Sequence, residues 1–160
     1  MIKEEVYLKH YLYPAALFAD KKPHKVSTVL GTCVAVCLHD TKLNIGGINH
    51  YMLPLWNGEG LASPKYGNIA IEKLLDKMYQ LGSDKKNLVA KVFGGKEAED
   101  ETVSVFNIGK RNFELALEKL KKEEIKIVSQ SIGGQFGRKL LYSTDTGEVL
   151  MKYIKPQAGL

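Results

Sequence analysis

The 160-residue chain predicts an α+β domain, two helices laid over mostly antiparallel sheet. Three features point to it. Residues 26–53 hold two runs rich in β-branched and aliphatic side chains, joined through Asp40-Thr41-Lys42, which is a hairpin pattern. Two later segments repeat apolar residues at helical spacing. Residues 140–154 then repeat the hairpin pattern around Asp145-Thr146-Gly147.

Taken in order, residues 1–25 read as an irregular segment punctuated by Pro14 and Pro23, with an apolar patch at Tyr11-Leu12-Tyr13 that packs as extended chain. Residues 26–38 are two extended pieces separated by a tight Gly31-Thr32-Cys33 bend. Residues 43–53 return as a strand, and Gly46-Gly47 suits a bulge or a close backbone approach. Residues 54–64, with Trp56, Gly58 and Gly60, form a loop long enough to serve as a lid or binding loop. Ile71, Leu74, Leu75, Met78 and Leu81 line one helical face, and Gly82 stops that helix. Residues 88–93 are a strand ending at Gly94-Gly95, and residues 96–103 are a polar, exposed loop. A second helix runs over 109–123 with Asn107 as N-cap and Phe113, Ala116, Leu117 and Leu120 inward. A strand at 125–132 and a Gly133-Gly134-Gln135-Phe136-Gly137 turn precede the last hairpin, and residues 155–160 read as a flexible tail.

Composition sets the limits. The chain is long enough for one self-sufficient domain spanning 1–160, and 44% apolar with 26% charged residues is ordinary for a globular protein. No run of about 20 apolar residues is present to span a bilayer, and the acidic start lacks a signal-peptide layout. The chain reads as cytoplasmic, without membrane insertion. Much of its net charge of +5 comes from lysines mixed with glutamates, as at residues 118–124, a solvated face and not a nucleic-acid patch. The positive balance suits an acidic partner.

Cys33 and Cys37 are the only cysteines. Four strand residues hold them roughly 13 Å apart, beyond disulfide reach. A cysteine at a Gly-x bend can expose its sulfur and gather backbone N–H groups around one point, as an oxyanion hole requires. Its thiolate needs a base. His39 lies too far along the strand, whereas His50 sits on the return strand near the Cys33 level. Spacing alone leaves a buried structural cysteine beside a satisfied histidine as an open alternative. Cys33, Cys37, His39 and His50 are spread too widely for one tetrahedral zinc. The 133–139 loop leads into a strand, unlike a phosphate-binding loop.

The order of motifs resembles the CheD family of chemoreceptor glutamine deamidases. It is carried by Val29-Leu30-Gly31-Thr32-Cys33-Val34-Ala35-Val36, His50-Tyr51-Met52-Leu53-Pro54, Lys65-Tyr66-Gly67 and Val92-Phe93-Gly94-Gly95. It continues through Asn107-Ile108-Gly109-Lys110-Arg111-Asn112, then Ile132 to Lys139, and Thr146-Gly147. The resemblance implies an α/β/β/α layered fold similar to the catalytic domain of cytotoxic necrotizing factor toxins, with no metal and no organic cofactor. It places the catalytic cysteine on Cys33 and the histidine on His50. The hydroxyl that orients the histidine falls on Ser27, with Thr28 beside it as a second hydroxyl. The implied reaction is hydrolysis of receptor glutamine amides through a Cys thioester. The implied partners are methyl-accepting chemoreceptors and a CheC-type phosphatase. A regulatory binding module for that phosphatase, or methylesterase action at the same cysteine, are the alternative readings.

Overall fold

The computed structural model describes residues 6–98 and 107–155. Nine strands and two α-helices are found there: β1 (Leu8–Tyr11), β2 (Leu17–Asp20), β3 (His24–Leu30), β4 (Val34–Asp40), β5 (Ile45–Asn49), α1 (Gly67–Gln80), β6 (Leu88–Gly94), α2 (Ile108–Lys122), β7 (Lys126–Ile132), β8 (Gly137–Ser143) and β9 (Val149–Ile154). They form two sheets, β1-β3-β8-β9 and β2-β5-β4-β6-β7. All pairings are antiparallel except β1 with β3 and β6 with β7.

The expected hairpins form. Strand β4 pairs with β5 from Cys37↔Ile48 to Asp40↔Ile45, and β8 pairs with β9 from Gly137↔Ile154 to Tyr142↔Val149. Both helices keep their expected signals. Gly82 takes φ +106° just after α1, and the Ser83 amide donates back to Met78 O at 3.0 Å, closing the last turn. Asn107 caps α2 by accepting from the Lys110 amide at 3.3 Å. Close backbone approach explains Gly46 and Gly47: side chains there would run into the Tyr142 hydroxyl and Leu74 respectively.

The N-terminal segment departs from expectation. It was predicted irregular, yet residues 8–11 and 17–20 are strands, added to the edges of the two different sheets. Each is four residues long, too short to show a period, and each is stabilised by a partner distant in sequence. Part of the exposed 96–103 loop and residues 156–160 of the tail lie outside the described residues.

Two cores result. Val34, Val36, Leu38 and Tyr51 point from the five-stranded sheet to α1 and α2, meeting Ile71, Leu74, Met78 and Leu120. Ala35, Cys37, Ile48 and Phe93 point the other way and meet Leu12, Val26, Leu30, Leu140 and Tyr142 between the sheets. The strict alternation along β4 is why every residue from Val34 to Leu38 is buried: the strand is covered on both faces. Both helices pack on the five-stranded sheet. The α+β class with two main helices and mostly antiparallel strands therefore holds. Among the described residues the layers run α/β/β, without the second helical layer that the resemblance implied. No described element packs on the outer face of the four-stranded sheet.

Candidate active site

The bend at residues 31–33 is where the chain leaves one sheet and enters the other. Strand β3 ends at Leu30 in the four-stranded sheet and β4 begins at Val34 in the five-stranded one. Cys33 therefore sits at the mouth of the inter-sheet layer, half-buried, with its side chain against that core.

Three contacts pin the bend. Gly31 O accepts the Lys96 amide at 3.0 Å, Thr32 O accepts Asn112 Nδ2 at 2.9 Å, and Cys33 O accepts the Gly95 amide at 2.9 Å. Gly94, at φ +108°, lies so close that a Cβ there would strike Cys33 O. With three successive carbonyls held by neighbours, the Thr32 amide has no acceptor among the described residues. The Cys33 amide lies against its own sulfur.

His50 is brought to the same place from β5. Val34 and Tyr51 form a bridge, exchanging hydrogen bonds of 3.1 and 3.0 Å. The antiparallel register makes Cys33 and His50 diagonal neighbours on one face, with backbones on the order of 7 Å apart. Backbone bonds from His50 to Ala15 and Ala16, of 2.8 and 3.1 Å, lock the histidine into the N-terminal segment.

The imidazole carries the most informative contact. Thr28 Oγ1 lies 2.7 Å from His50 Nδ1 and 2.8 Å from Leu12 O. A hydroxyl has one proton and a carbonyl can only accept, so Thr28 donates to Leu12. The remaining contact then has His50 Nδ1–H donating to Thr28 Oγ1. This fixes the tautomer and leaves the lone pair on Nε2. That atom is buried and has no partner among the described residues. Burial lowers the His50 pKa to about 4, so the ring is neutral near pH 7. Burial likewise raises the Cys33 thiol, with its own amide opposing. The resting pair is thus neutral thiol and neutral imidazole.

Ser27 is not the hydroxyl that meets His50. Neighbouring strand residues face opposite sides, so Thr28 points into the inter-sheet layer and Ser27 points out to the open face, beside Tyr11 and Leu141. The other histidines are engaged elsewhere. His10 stacks on Phe18 at 4.2 Å, His24 Nδ1 lies 2.7 Å from Lys22 O, and His39 Nε2 lies 2.7 Å from Asp145 O.

One contributor was not singled out by sequence reasoning. Asn112 is fully buried on α2 and donates both Nδ2 hydrogens, to Thr32 O at 2.9 Å and to Met52 O at 3.0 Å. It ties the segment bearing Cys33 to the segment bearing His50. Tyr51 reinforces the clamp by donating to Asn112 O at 2.6 Å. A polar residue in a helix reads as surface. The one available signal was that Asn112 falls three residues after Gly109 and four before Ala116, on the stripe that faces the sheet.

Comparison with known proteins bears on this arrangement. A family model described as CheD chemotactic sensory transduction matches residues 52–153. A protein of Trichlorobacter lovleyi named probable chemoreceptor glutamine deamidase CheD is 48% identical over 149 residues, covering 93% of this chain and 92% of that one. A like-named protein of Sulfurimonas denitrificans is 45% identical over 152 residues, covering 93% and 96%. One of Anaeromyxobacter dehalogenans, probable chemoreceptor glutamine deamidase CheD 1, is 36% identical over 144 residues, covering 90% and 84%. The chain belongs to the CheD family. Cys33 and His50 precede the span matched by the family model. Among the described residues of this CheD chain, no helix is long and apolar enough to cross a membrane.

Proposed function

We propose that this chain hydrolyses glutamine side-chain amides of a chemoreceptor to glutamate, with Cys33 as nucleophile, His50 as base and Thr28 as the residue that orients the imidazole. The observation that carries the reading is the proton accounting at His50. Its Nδ1 proton is committed to Thr28, and its lone pair is on a buried Nε2 that has no hydrogen-bond partner among the described residues. The names of the relatives supply the substrate class.

His50 Nε2 takes the Cys33 proton as the sulfur attacks the amide carbon, forming a C–S bond and an oxyanion. The Thr32 amide, without an acceptor among the described residues, and the Cys33 amide beside the sulfur are suited to hold that oxygen. The oxyanion collapses, the C–N bond breaks, and the nitrogen leaves as ammonia with the proton returned by His50. Water then attacks the thioester and gives its proton to Nε2. Glutamate and the free thiol result. Because the imidazole is neutral at rest, the proton moves only when substrate is bound. Loop 54–64 leaves directly after the His50 segment, is tied back by the Met52 amide to Lys65 O at 2.9 Å, and borders the substrate approach. The test is mass spectrometry of a receptor cytoplasmic fragment co-expressed with the chain. Gln-to-Glu shifts of about 1 Da that vanish with Cys33→Ala support the reading, and shifts that persist with this variant refute it.

A further inference from the structure

The open face of the four-stranded sheet carries an ordered pattern that the catalytic reading does not use. Register aligns its outward side chains in rows across the strands. The central row runs Tyr11, Ser27, Leu141, Leu150. On one side of it Lys9 stands beside Lys25, and on the other Lys139 stands opposite Lys152. Tyr11 and Leu150 are 47% and 57% exposed and stand in one row with Leu141, so the apolar surface here is contiguous. The row lies in a depression of about 660 Å³ bordered by these four lysines.

Like charges set side by side on adjacent strands oppose folding. None of the four lysines has a carboxylate partner among the described residues, whereas Lys85, Lys86, Lys110 and Lys119 all do. Lys25 Nζ lies 4.8 Å from the centre of the Tyr7 ring, and among the described residues no carboxylate offsets either lysine pair around the apolar trough. The dimensions are specific. Four residues along β3 separate the lysine levels by about 13 Å, close to the 10–12 Å diameter of an α-helix. Four strands at about 4.8 Å spacing give a trough near 14 Å long, or about ten helical residues at 1.5 Å each.

We propose that this face docks an amphipathic α-helix of a partner protein, its apolar stripe seated on Tyr11, Leu141 and Leu150 and its flanking Asp and Glu residues paired with Lys9, Lys25, Lys139 and Lys152. A second copy of the chain fits poorly, since a two-fold contact would set lysines against lysines. The face is separate from Cys33 and His50, touching the catalytic residues only through β3, so this inference does not depend on the deamidase reading.

The experiment titrates the full chain into two fluorescein-labelled helical peptides of about 18 residues, long enough for measurable helicity. Both carry leucine at i, i+3, i+4 and i+7. One has glutamates flanking the stripe, the other lysines. The glutamate peptide should bind at least about tenfold tighter, and high salt should weaken it. The double variant Lys139→Glu/Lys152→Glu should lose about tenfold in affinity for it. Leu150→Ser should weaken it without changing its salt dependence. All these positions are exposed, and unchanged alkylation of Cys33 by iodoacetamide checks that the fold is intact. Equal binding of the two peptides overturns the proposal, as does a double variant that binds like the parent. So does binding to phosphatidylglycerol vesicles that the double variant loses while peptide affinity stays unchanged, or self-association through this face.

Discussion

Cys33 and Cys37 stand on the same strand path and the same face, four residues apart, yet their surroundings differ in every respect that governs reactivity. Cys37 is 2% exposed, enclosed with Ile48 and Tyr142 between the sheets, and burial drives its thiol pKa far up, opposed by the charge of Lys91, its partner across the β4–β6 ladder. Cys33 is half-buried at the sheet crossing, with an amide against its sulfur and a histidine on the diagonal. Residue type and strand position are shared. The difference comes from where the chain passes from one sheet to the other, since only there are backbone amides released from the ladder. A buried cysteine inside a ladder is a small apolar side chain; one at a crossing can do chemistry.

The comparison is broken most directly at its reactive end. His50→Gln should lower kcat for receptor deamidation by about 10³, within the range of a lost general base, while Cys37→Ala leaves kcat within about twofold. Steady-state ammonia release decides this, and equal losses would mean that Cys37 matters to the chemistry as much as His50 does.

A smaller effect separates the two hydroxyls on β3. Thr28→Val removes the acceptor for His50 Nδ1–H while keeping shape, and should cost between about tenfold and a hundredfold in kcat with KM little changed. Thr28→Ser should recover most of that loss. Ser27→Ala, on the other side of the strand, should leave deamidation unchanged. If Ser27→Ala is the damaging change, the orientation by Thr28 is wrong.

The pH dependence sharpens the electrostatic half of the argument. The His50 pKa is lowered to about 4 from an ordinary value near 6.5. On the acid side, kcat/KM should persist through pH 6 and fall only as pH approaches 4. The same group acts on stability. Between about pH 6.5 and 4 the unfolded chain binds a proton at this position that the folded chain refuses, so stability falls as pH falls, by up to about 1.4 kcal/mol per pH unit. Denaturant melts of the parent and of His50→Gln across that window should differ in slope. The smallest effect is on packing: Cys37→Ala should destabilise by about 1 kcal/mol through the cavity it leaves, measured as a shift in denaturant midpoint.

What could be read from the chain, and what could not, follows from the range of the interactions involved. The β4–β5 hairpin, both helices, the Asn107 cap and the Gly82 stop were legible because each is written in a window of a few residues. The diagonal placement of Cys33 and His50 was legible for the same reason, since hairpin register follows from the turn. The strands at 8–11 and 17–20 were not, because four residues have no period and their pairing needs partners elsewhere in the chain. Ser27 against Thr28 was a question of parity. It could be answered only by knowing which side of β3 meets the second sheet. Asn112 was hidden because its acceptors, Thr32 O and Met52 O, lie 80 and 60 residues away. That α1 and α2 both pack on the five-stranded sheet was a matter of where helices dock, which periodicity does not record.

The Asn112 clamp also has a consequence for synthesis. Thr32 and Met52 leave the ribosome long before α2 exists, and β3, which carries Thr28, waits longer still for its partner β8 at residues 137–143. A nascent chain of 100 residues already contains Cys33, Thr28 and His50, with the Val34–Tyr51 bridge and the Thr28–His50 contact, but it lacks the Asn112 clamp and strand β8. The two parts that brace the bend, Asn112 and β8, both arrive only with the last third of the polypeptide.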